Sequence, residues 1–355
     1  MQNDLVFGKM AMVFILNCCD ERGTSMTILE IAKEAGVSPS SVSRVINGKP
    51  GVNMQTRAKI MDLLKEHHYT LDREPHPYTQ ENSHLVGILV ADVRNVHLTE
   101  GAYHISRALS ERGYSSLIEN TGNSDEGRAT AIKRLKKRNV AAVVLLGSIF
   151  QSDIIKSAIE EYLHTIPVFM LNGFLDLPNV CSVLSDEKTG VYDCVKLLAG
   201  KGRRKIAFLL DDPRPSSSLK EAGFVEGMNS LGWKQDNLWI RRNVDASFSG
   251  GFSATEKLIE EYPDLEGIIC SMDIIACGAV QALVRHGISI PDQVAVVGVD
   301  NSIYAEICMP QLTSLNNMIL DSSVTIAHKL TDWLEGRKSN QRTMLFTSIV
   351  EREST

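Results

Sequence analysis

Small polar residues and one arginine are concentrated between Thr27 and Asn47, in the segment TILEIAKEAGVSPSSVSRVIN. Hydroxyl and amide side chains commonly bind phosphate oxygens, and a guanidinium can donate two parallel hydrogen bonds to guanine O6 and N7. When such residues share one face of a short helix, they indicate a surface that contacts the groove of double-stranded DNA.

Two short helices joined by a tight turn are predicted to position these side chains. Thr27 and Glu30 form a T-x-x-E capping box at the start of the first helix, and Gly36 ends that helix. Ser38 is placed to cap the second helix, where Pro39 suits the first position because it has no N–H to leave unpaired. The second helix is therefore predicted to begin at a defined residue.

The second helix is amphipathic, and a third helix completes a small core. The residues predicted to face inward along the second helix are Val42, Val45 and Ile46. The opposite face carries Ser40, Ser41, Arg44 and Asn47. A third helix is predicted from Met54 to about His68, capped by Asn53. Helix pattern alone leaves two interpretations open, a DNA-binding head and a plain structural bundle.

The side chains of the second helix favour the first interpretation. The stretch V-S-P-S-S-V-S-R-V-I-N-G resembles the recognition segment of the lactose-repressor/galactose-repressor (LacI/GalR) family of bacterial transcriptional regulators. The resemblance implies that Arg44 contacts bases, with a phosphate contact as the alternative. By family position it implies phosphate contacts for Thr27, Ser38, Ser43, Asn47 and Thr56.

From Leu85 onward, apolar runs typical of buried parallel strands alternate with helical segments. After Leu85–Ala91 and a helix from about Thr99 to Arg112, strands are predicted at about 115–119, 141–146, 167–171, 205–210, 267–271 and 294–299. This order predicts an α/β fold of doubly wound parallel sheets with right-handed crossovers. It resembles a two-lobed core like that of periplasmic binding proteins.

The predicted organisation has four parts. Residues 1–25 are a leader, 26–72 a helix-turn-helix head, 73–84 a hinge linker and 85–355 an effector-binding and dimerisation core. Lobe one is expected to span about 85–185 plus about 315–342. Lobe two is expected to span about 186–312 plus the C-terminal segment.

Polar residues follow the predicted strands of the core, where ligands of open α/β sheets bind. The candidates for effector contact are Asp92, Asn95, Asn172, Lys220, Asp245, Asp273 and Asp300. For each of them alone, helix capping is an equally good explanation. Asp273 and Asp300 are the stronger candidates because each closes a strongly apolar strand.

The cleft departs from the family pattern at three positions. Lys220 stands where sugar- and purine-binding relatives usually carry an arginine, and lysine cannot form the same two-pronged contact. Met272 replaces an expected asparagine, and Ala246 replaces a frequent aromatic residue, whereas Asp300 matches. The expected effector is a sugar or a sugar phosphate; another small molecule, or no ligand, remains open.

The linker also departs from the family. Relatives usually carry an A-R-x-L segment that becomes a short helix on DNA and inserts its leucine into the minor groove. Here Pro75 and Pro77 disfavour a continuous helix, and Tyr78 takes the leucine position. Tyr78 either inserts between base pairs or packs on the core within a proline-rich spacer.

Charge and cysteine content limit the function classes. Residues 26–73 carry seven Lys or Arg against five Asp or Glu, whereas the whole chain has a net charge of −6. This balance favours DNA contact through one module over non-specific coating. Seven cysteines without C-x-x-C spacing indicate free thiols and a cytoplasmic location. A palindromic operator would require a homodimer.

The sequence offers no catalytic constellation, metal motif or cofactor loop. It has no H-E-x-x-H, no G-x-S-x-G and no G-x-x-x-x-G-K-[ST]. The alternative function is a solute-binding protein of a transport system, which would share the core but would need a secretory signal and no head. The apolar stretch Val6 to Cys19 is too short to span a bilayer and has no cleavage motif, so we expect translation to begin at Met26.

Overall fold

The computed structural model describes residues 18–19, 25–26, 28–46, 51–66, 84–211, 213–233, 239–337 and 340–355. The chain divides into two compact units, Met1–Pro77 and Tyr78–Thr355. Within the described ranges, no helix combines the length and apolar character needed to cross a lipid bilayer.

The first unit contains three helices around a small apolar core. A two-residue strand β1 (Cys18–Cys19) pairs antiparallel with β2 (Ser25–Met26). The helices are α1 (Ile28–Ala35), α2 (Pro39–Ile46) and α3 (Met54–Glu66). Their buried side chains are Ile31, Ala32, Ala35, Val42, Val45, Ile60 and Leu64. The predicted helix-turn-helix is thus confirmed, with Gly36 at φ 70° in the turn, a conformation that favours glycine.

Lobe one of the second unit is a six-stranded sheet covered by helices. Its elements are β3 (Leu85–Val90), α4 (Val96–Ser110), β4 (Ser115–Asn120), α5 (Asp125–Lys137), β5 (Ala142–Leu146), α6 (Asp153–Tyr162), β6 (Val168–Leu171) and β7 (Val180–Ser185). The strand order is β13-β7-β6-β5-β3-β4, where β13 (Arg342–Leu345) returns from the end of the chain. All neighbouring strands in this sheet are parallel.

Lobe two repeats this architecture. Its elements are α7 (Glu187–Gly200), β8 (Ile206–Leu210), α8 (Pro215–Ser230), β9 (Trp239–Asn243), α9 (Phe248–Glu261), β10 (Gly267–Cys270), α10 (Asp273–Arg285), β11 (Ala295–Val299), α11 (Ile303–Ile307), β12 (Thr313–Asn316) and β14 (Ser348–Val350). The order is β14-β12-β11-β10-β8-β9, and only β14 runs antiparallel. Helix α12 (Ile319–Leu334) packs on β6 and β7 of lobe one.

The predicted fold class is confirmed: two parallel-dominated sheets form an α/β core. The central strands are buried on both faces, as β5 and β8 illustrate, because helices cover each sheet on both sides. One predicted boundary was wrong. Helix α4 begins at Val96 rather than Thr99, because the Asn95 side chain accepts the Leu98 N–H and so caps the helix one turn earlier.

Candidate functional site

The start of α2 presents a connected set of serine hydroxyls. The Ser38 Oγ lies 2.8 Å from the Ser40 Oγ and 2.9 Å from the Ser41 Oγ. It also accepts the Ser41 N–H at 3.3 Å, which is the cap expected from sequence. Ser38 and Ser40 are exposed and Ser41 is half-buried. The hydroxyls are therefore held together at a helix N-terminus, where phosphate oxygens bind well.

Arg44 is exposed on the same helix, and its guanidinium lies near the backbone of Gly51. A Cβ built on Gly51 would lie 3.3 Å from the Arg44 Nη1. The arginine head therefore passes close over the backbone of Gly51. Thr56 is half-buried in the first turn of α3, where its N–H donates to the Asn53 Oδ1 at 2.7 Å.

Four other predicted DNA contacts have no described side chain. Thr27, Asn47 and Tyr78 lie outside the described residues, and Ser43 is described only as part of the α2 backbone.

The second candidate site is a cleft of about 450 Å³ between the two lobes. Lobe one contributes Asp92, Asn95 and His97 to its wall, and lobe two contributes Arg214, Ala246, Met272 and Asp300. A recess of about 70 Å³ continues inward and adds Asn172, Glu187, Asp211, Lys220 and Asn317. Five of the seven effector candidates predicted from sequence are thereby brought together.

A buried charge network forms the floor of the recess. The Lys220 Nζ donates to the Ser271 carbonyl oxygen at 3.0 Å and lies 3.4 Å from the Glu187 Oε1. Burial alone would lower the pKa of Lys220, but the carboxylates of Glu187, Asp300 and Asp211 outweigh it and raise that pKa above its usual value. Lys220 is therefore a charged ammonium group within the protein.

Two further side chains hold the carboxylates of this floor in place. The Ser216 Oγ donates to the Glu187 Oε2 at 2.5 Å. The Asn317 Nδ2 donates to the Asp300 Oδ1 at 3.0 Å and to the Glu187 Oε1 at 3.3 Å. The carboxylates are thus fixed by hydrogen bonds before any ligand arrives, which lowers the cost of ordering the site.

Asp300 meets a histidine of the opposite lobe. The His97 Nδ1 lies 3.7 Å from the Asp300 Oδ1. Burial lowers the pKa of His97 to about 4, with Lys220 adding to the effect, so the ring is neutral near pH 7 and the contact is not an ion pair. Burial raises the pKa of Asp300 to about 7, against the opposing influence of Lys220.

Buried polar atoms without hydrogen-bond partners and strained backbone conformations occur together at this cleft. Among the described residues, neither the His97 Nδ1 nor the Asn317 Oδ1 has a hydrogen-bond partner, although both atoms are buried. Asp300 has φ 110°, which is rare for a residue with a Cβ, and Asn172 has φ 51°. Strained residues and unpaired buried polar atoms concentrate at ligand-binding sites.

Three candidates have local roles in addition to lining the cleft. Arg94 binds Asp92 through both carboxylate oxygens, and its hydrogen bonds lower the pKa of Asp92 to about 2. Asn95 caps α4, and the Asn172 Oδ1 accepts the Ser185 N–H at 2.9 Å.

Two candidates lie away from the cleft. Asp245 is exposed in a separate surface depression, next to Lys257. Asp273 is buried at the start of α10, where it accepts the Ser302 N–H at 2.7 Å and the Ser314 hydroxyl at 2.6 Å. Its carboxylate stabilises the segment after β11. A structural role therefore fits the position of Asp273 better than contact with an effector.

Sequence reasoning missed several polar cleft residues, among them His97, Glu187, Asp211, Arg214 and Asn317. His97, like Asp92 and Asn95, follows the first strand and could have been included on that ground. Glu187 gave no signal, because D-E-K at a helix start is typical of a solvated first turn.

A helix-turn-helix head together with a two-lobed core that encloses a polar cleft defines a ligand-responsive DNA-binding protein. Residues 27–72 match the family model described as bacterial regulatory proteins, lacI family, and residues 195–355 match the periplasmic binding protein-like domain. The chain therefore carries a LacI-family helix-turn-helix domain and a periplasmic-binding-protein-like domain, and the relatives that it resembles are HTH-type transcriptional regulators.

Similar proteins extend over nearly the whole chain. The HTH-type transcriptional regulator DegA of Bacillus subtilis (strain 168) is 28% identical over 93% of this chain and 98% of its own length. The ribose operon repressor of Halalkalibacterium halodurans is 27% identical, over 93% and 97%. A solved structure, the transcriptional regulator CelR-cellobiose complex, is 26% identical over 93% of this chain and 100% of that chain, with a TM-score of 0.68.

Proposed function

We propose that this regulator is a repressor of carbohydrate utilisation whose operator affinity changes when a small molecule occupies the interlobe cleft. The observation that carries the proposal is the cleft itself. Fixed carboxylates, unpaired buried acceptors and a buried ammonium group converge there from both lobes. Similarity to a ribose operon repressor and to a cellobiose-bound regulator supports a sugar as the effector.

The head contacts DNA through α2. Arg44 donates to guanine O6 and N7, while Ser40 and Ser41 lie in or beside the groove. Ser38 and Thr56 contact phosphates and set the register, as do Ser43, Thr27 and Asn47 by family position. Tyr78 is the linker residue next to the minor groove.

An uncharged sugar is the effector class that the cleft favours. Glu187, Asp211 and Asp300 place three carboxyl groups around the single ammonium of Lys220, and carboxylates accept hydrogen bonds from sugar hydroxyls. A sugar phosphate is the second class, because the Arg214 guanidinium lines both parts of the cleft and has no ion-pair partner among the described residues.

The regulator acts in the cytoplasm as a homodimer. One recognition helix covers only a few base pairs, whereas two heads about 34–36 Å apart contact both halves of a palindrome and multiply specificity. We infer that effector binding changes operator affinity through the relative position of the lobes, with a coupling of ~1–3 kcal/mol or roughly 5- to 150-fold.

Catalysis is not part of this function, and neither is transport. The cleft residues are arranged to hold a ligand, and the hydroxyl of Ser216 there serves to fix the Glu187 carboxylate. A solute-binding protein would share the core but would have no use for the DNA-binding head.

A thermal-shift screen of the full chain against sugars and sugar phosphates tests this function. A hit should raise the melting temperature, and it should then change operator affinity. Asp300→Asn should remove both effects, whereas the matched control Asp245→Asn, outside the cleft, should retain them. If Asp300→Asn retains both effects, the cleft is not the effector site.

A further inference from the structure

Two thiols of lobe two lie close together, with Cys277 half-buried and Cys308 8% exposed. Cys277 belongs to α10, and Cys308 directly follows α11. The Tyr304 carbonyl oxygen accepts the Cys308 N–H at 3.1 Å and lies 3.5 Å from the Cys277 Sγ. The Cys277 thiol is also within hydrogen-bonding range of the Cys308 thiol. One carbonyl oxygen therefore anchors both cysteines.

A surface pocket of about 370 Å³ contains both cysteines in its wall. The neighbouring Ile307 is 64% exposed and Met309 is 74% exposed. Cys308 retains 8% exposure at the pocket, whereas Cys181, Cys194 and Cys270 are at most 1% exposed in the cores of the two lobes. The pocket therefore offers small reagents a path toward the pair in the folded protein.

The two thiols differ in acidity. Hydrogen bonding from Cys277 lowers the pKa of Cys308, since it stabilises the thiolate, whereas the same contact and burial raise the pKa of Cys277. Cys308 is therefore the better nucleophile, and Cys277 is placed to act second.

We propose that Cys277 and Cys308 form a redox-active dithiol that closes to an intrachain disulfide by exchange with low-molecular-weight disulfides. In the first step, the Cys308 thiolate attacks one sulfur of the small disulfide, and one small thiolate leaves. In the second step, Cys277 loses its proton and attacks the Cys308 sulfur, which releases the second small thiol. The protein loses two electrons and two protons, and the small disulfide is reduced to two thiols.

The pocket that contains the two thiols shares lining residues with the effector cleft. Ile274 and Tyr304 line both the thiol pocket and the cleft. A bond between Cys277 and Cys308 would tie α10 to the end of α11 and fix both residues. The redox state of the pair is thereby connected to the effector site, although the proposal itself does not depend on the identity of the effector.

The test uses the full chain with Cys18→Ser and Cys19→Ser, so that only the five core cysteines remain. The folded protein is incubated with glutathione disulfide, alkylated and mapped by mass spectrometry. We expect the loss of two hydrogen masses and one cross-linked peptide pair joining Cys277 to Cys308. Cys181, Cys194 and Cys270 serve as internal controls and should be alkylated only after unfolding.

Two variants separate the roles of the cysteines. Cys277→Ser should stop at the mixed disulfide on Cys308, and Cys308→Ser should react at least about tenfold more slowly than the parent. A disulfide that joins two chains, a mixed disulfide that accumulates without closure in the parent, or an unchanged rate in Cys308→Ser would each overturn the proposal. If a variant does not fold, the peptide map of the parent decides alone.

Discussion

Asp300 combines burial, strain and charge in one side chain. Its backbone has φ 110°, its carboxylate accepts a hydrogen bond from Asn317, and His97 of the opposite lobe lies 3.7 Å away. The other titratable groups around it are Glu187, Asp211, Asp273 and Lys220. Ionisation of a carboxyl group in this position destabilises the folded state. A ligand that donates a hydrogen bond to the carboxylate can offset this free-energy cost.

The free energy of unfolding should therefore depend on pH through Asp300. The carboxyl has a pKa of 3.8 as its ordinary value and about 7 in the folded protein. Because the folded state holds the proton more tightly, its stabilising contribution is present below about pH 4 and is lost as the pH rises through about 7. The contribution of His97 has the opposite sign, since its pKa is lowered to about 4.

Asp300→Asn removes the titration of this carboxyl. Between about pH 5 and about pH 8, the stability of the variant relative to the parent should rise by roughly 1–3 kcal/mol. Urea denaturation at both pH values measures this difference. A difference that stays constant would show that Asp300 does not titrate in this range.

Arg44→Ala should weaken binding to the cognate operator by ~1–3 kcal/mol and leave binding to random DNA nearly unchanged. The reason is that the base contact carries sequence information, whereas phosphate contacts do not. Titration of labelled duplexes measures both affinities. Lys33→Ala, an exposed cation on α1, is the control and should affect both duplexes alike. Equal losses on both duplexes in Arg44→Ala would leave only the phosphate role.

At the scale of elements, α9 and α10 pack backbone to backbone. A Cβ on Gly278 of α10 would overlap the Phe248 carbonyl oxygen of α9, and one on Gly251 of α9 would overlap the Ile275 carbonyl oxygen. The two glycines therefore set the distance between the helices. The start of α10 and the loop before α9 both reach the interlobe cleft, at Ile274 and Ser247, so this spacing also shapes the cleft.

Gly278→Ala should destabilise the core by roughly 1–3 kcal/mol, although alanine is the better helix former. Gly200→Ala in α7 is the matched control, because nothing lies within 4 Å of a Cβ there. The control should be neutral or up to ~1 kcal/mol more stable. Urea denaturation measures the free energy of unfolding of both variants. Equal values for the two would contradict the prediction, because they would show that α9 and α10 can move apart with little loss of stability.

The linker is the element on which sequence alone makes its sharpest prediction. Pro75, Pro77 and Tyr78 lie outside the described residues. The two prolines disfavour a continuous helix, so we predict weaker operator bending than is usual in the family. A bending assay on the natural operator checks this. A large kink that disappears in Tyr78→Ala would show that the linker still inserts into the minor groove.

Local patterns predicted the elements better than the site. The apolar runs at β5 and β8 predicted the right strands to within a residue, because burial on both faces leaves a continuous apolar run that a short window detects. Glu187 and Asn317 became cleft residues only through the packing of distant segments. Asp273 is the opposite case. Its place after an apolar strand predicted contact with an effector, but its carboxylate instead accepts a hydrogen bond from a neighbouring loop.

At the scale of the whole molecule, the core is built so that one ligand can touch both lobes. Beyond the contact of His97 with Asp300, the Ser216 N–H of lobe two donates to the Ser148 Oγ of lobe one at 3.2 Å. The lobes are connected at the cleft by a few polar contacts of this kind. A ligand that adds hydrogen bonds to both walls can therefore shift the balance between lobe positions by its differential affinity.

The central claim is that this chain binds a specific, two-fold symmetric DNA sequence. Selection from randomised duplexes with the full chain, followed by sequencing, tests it most directly. The account predicts enrichment of a palindrome whose half-sites lie about 10 base pairs apart, and loss of that enrichment in Arg44→Ala. Duplexes that bind without any enriched sequence, or enrichment that is unchanged in Arg44→Ala, would contradict it.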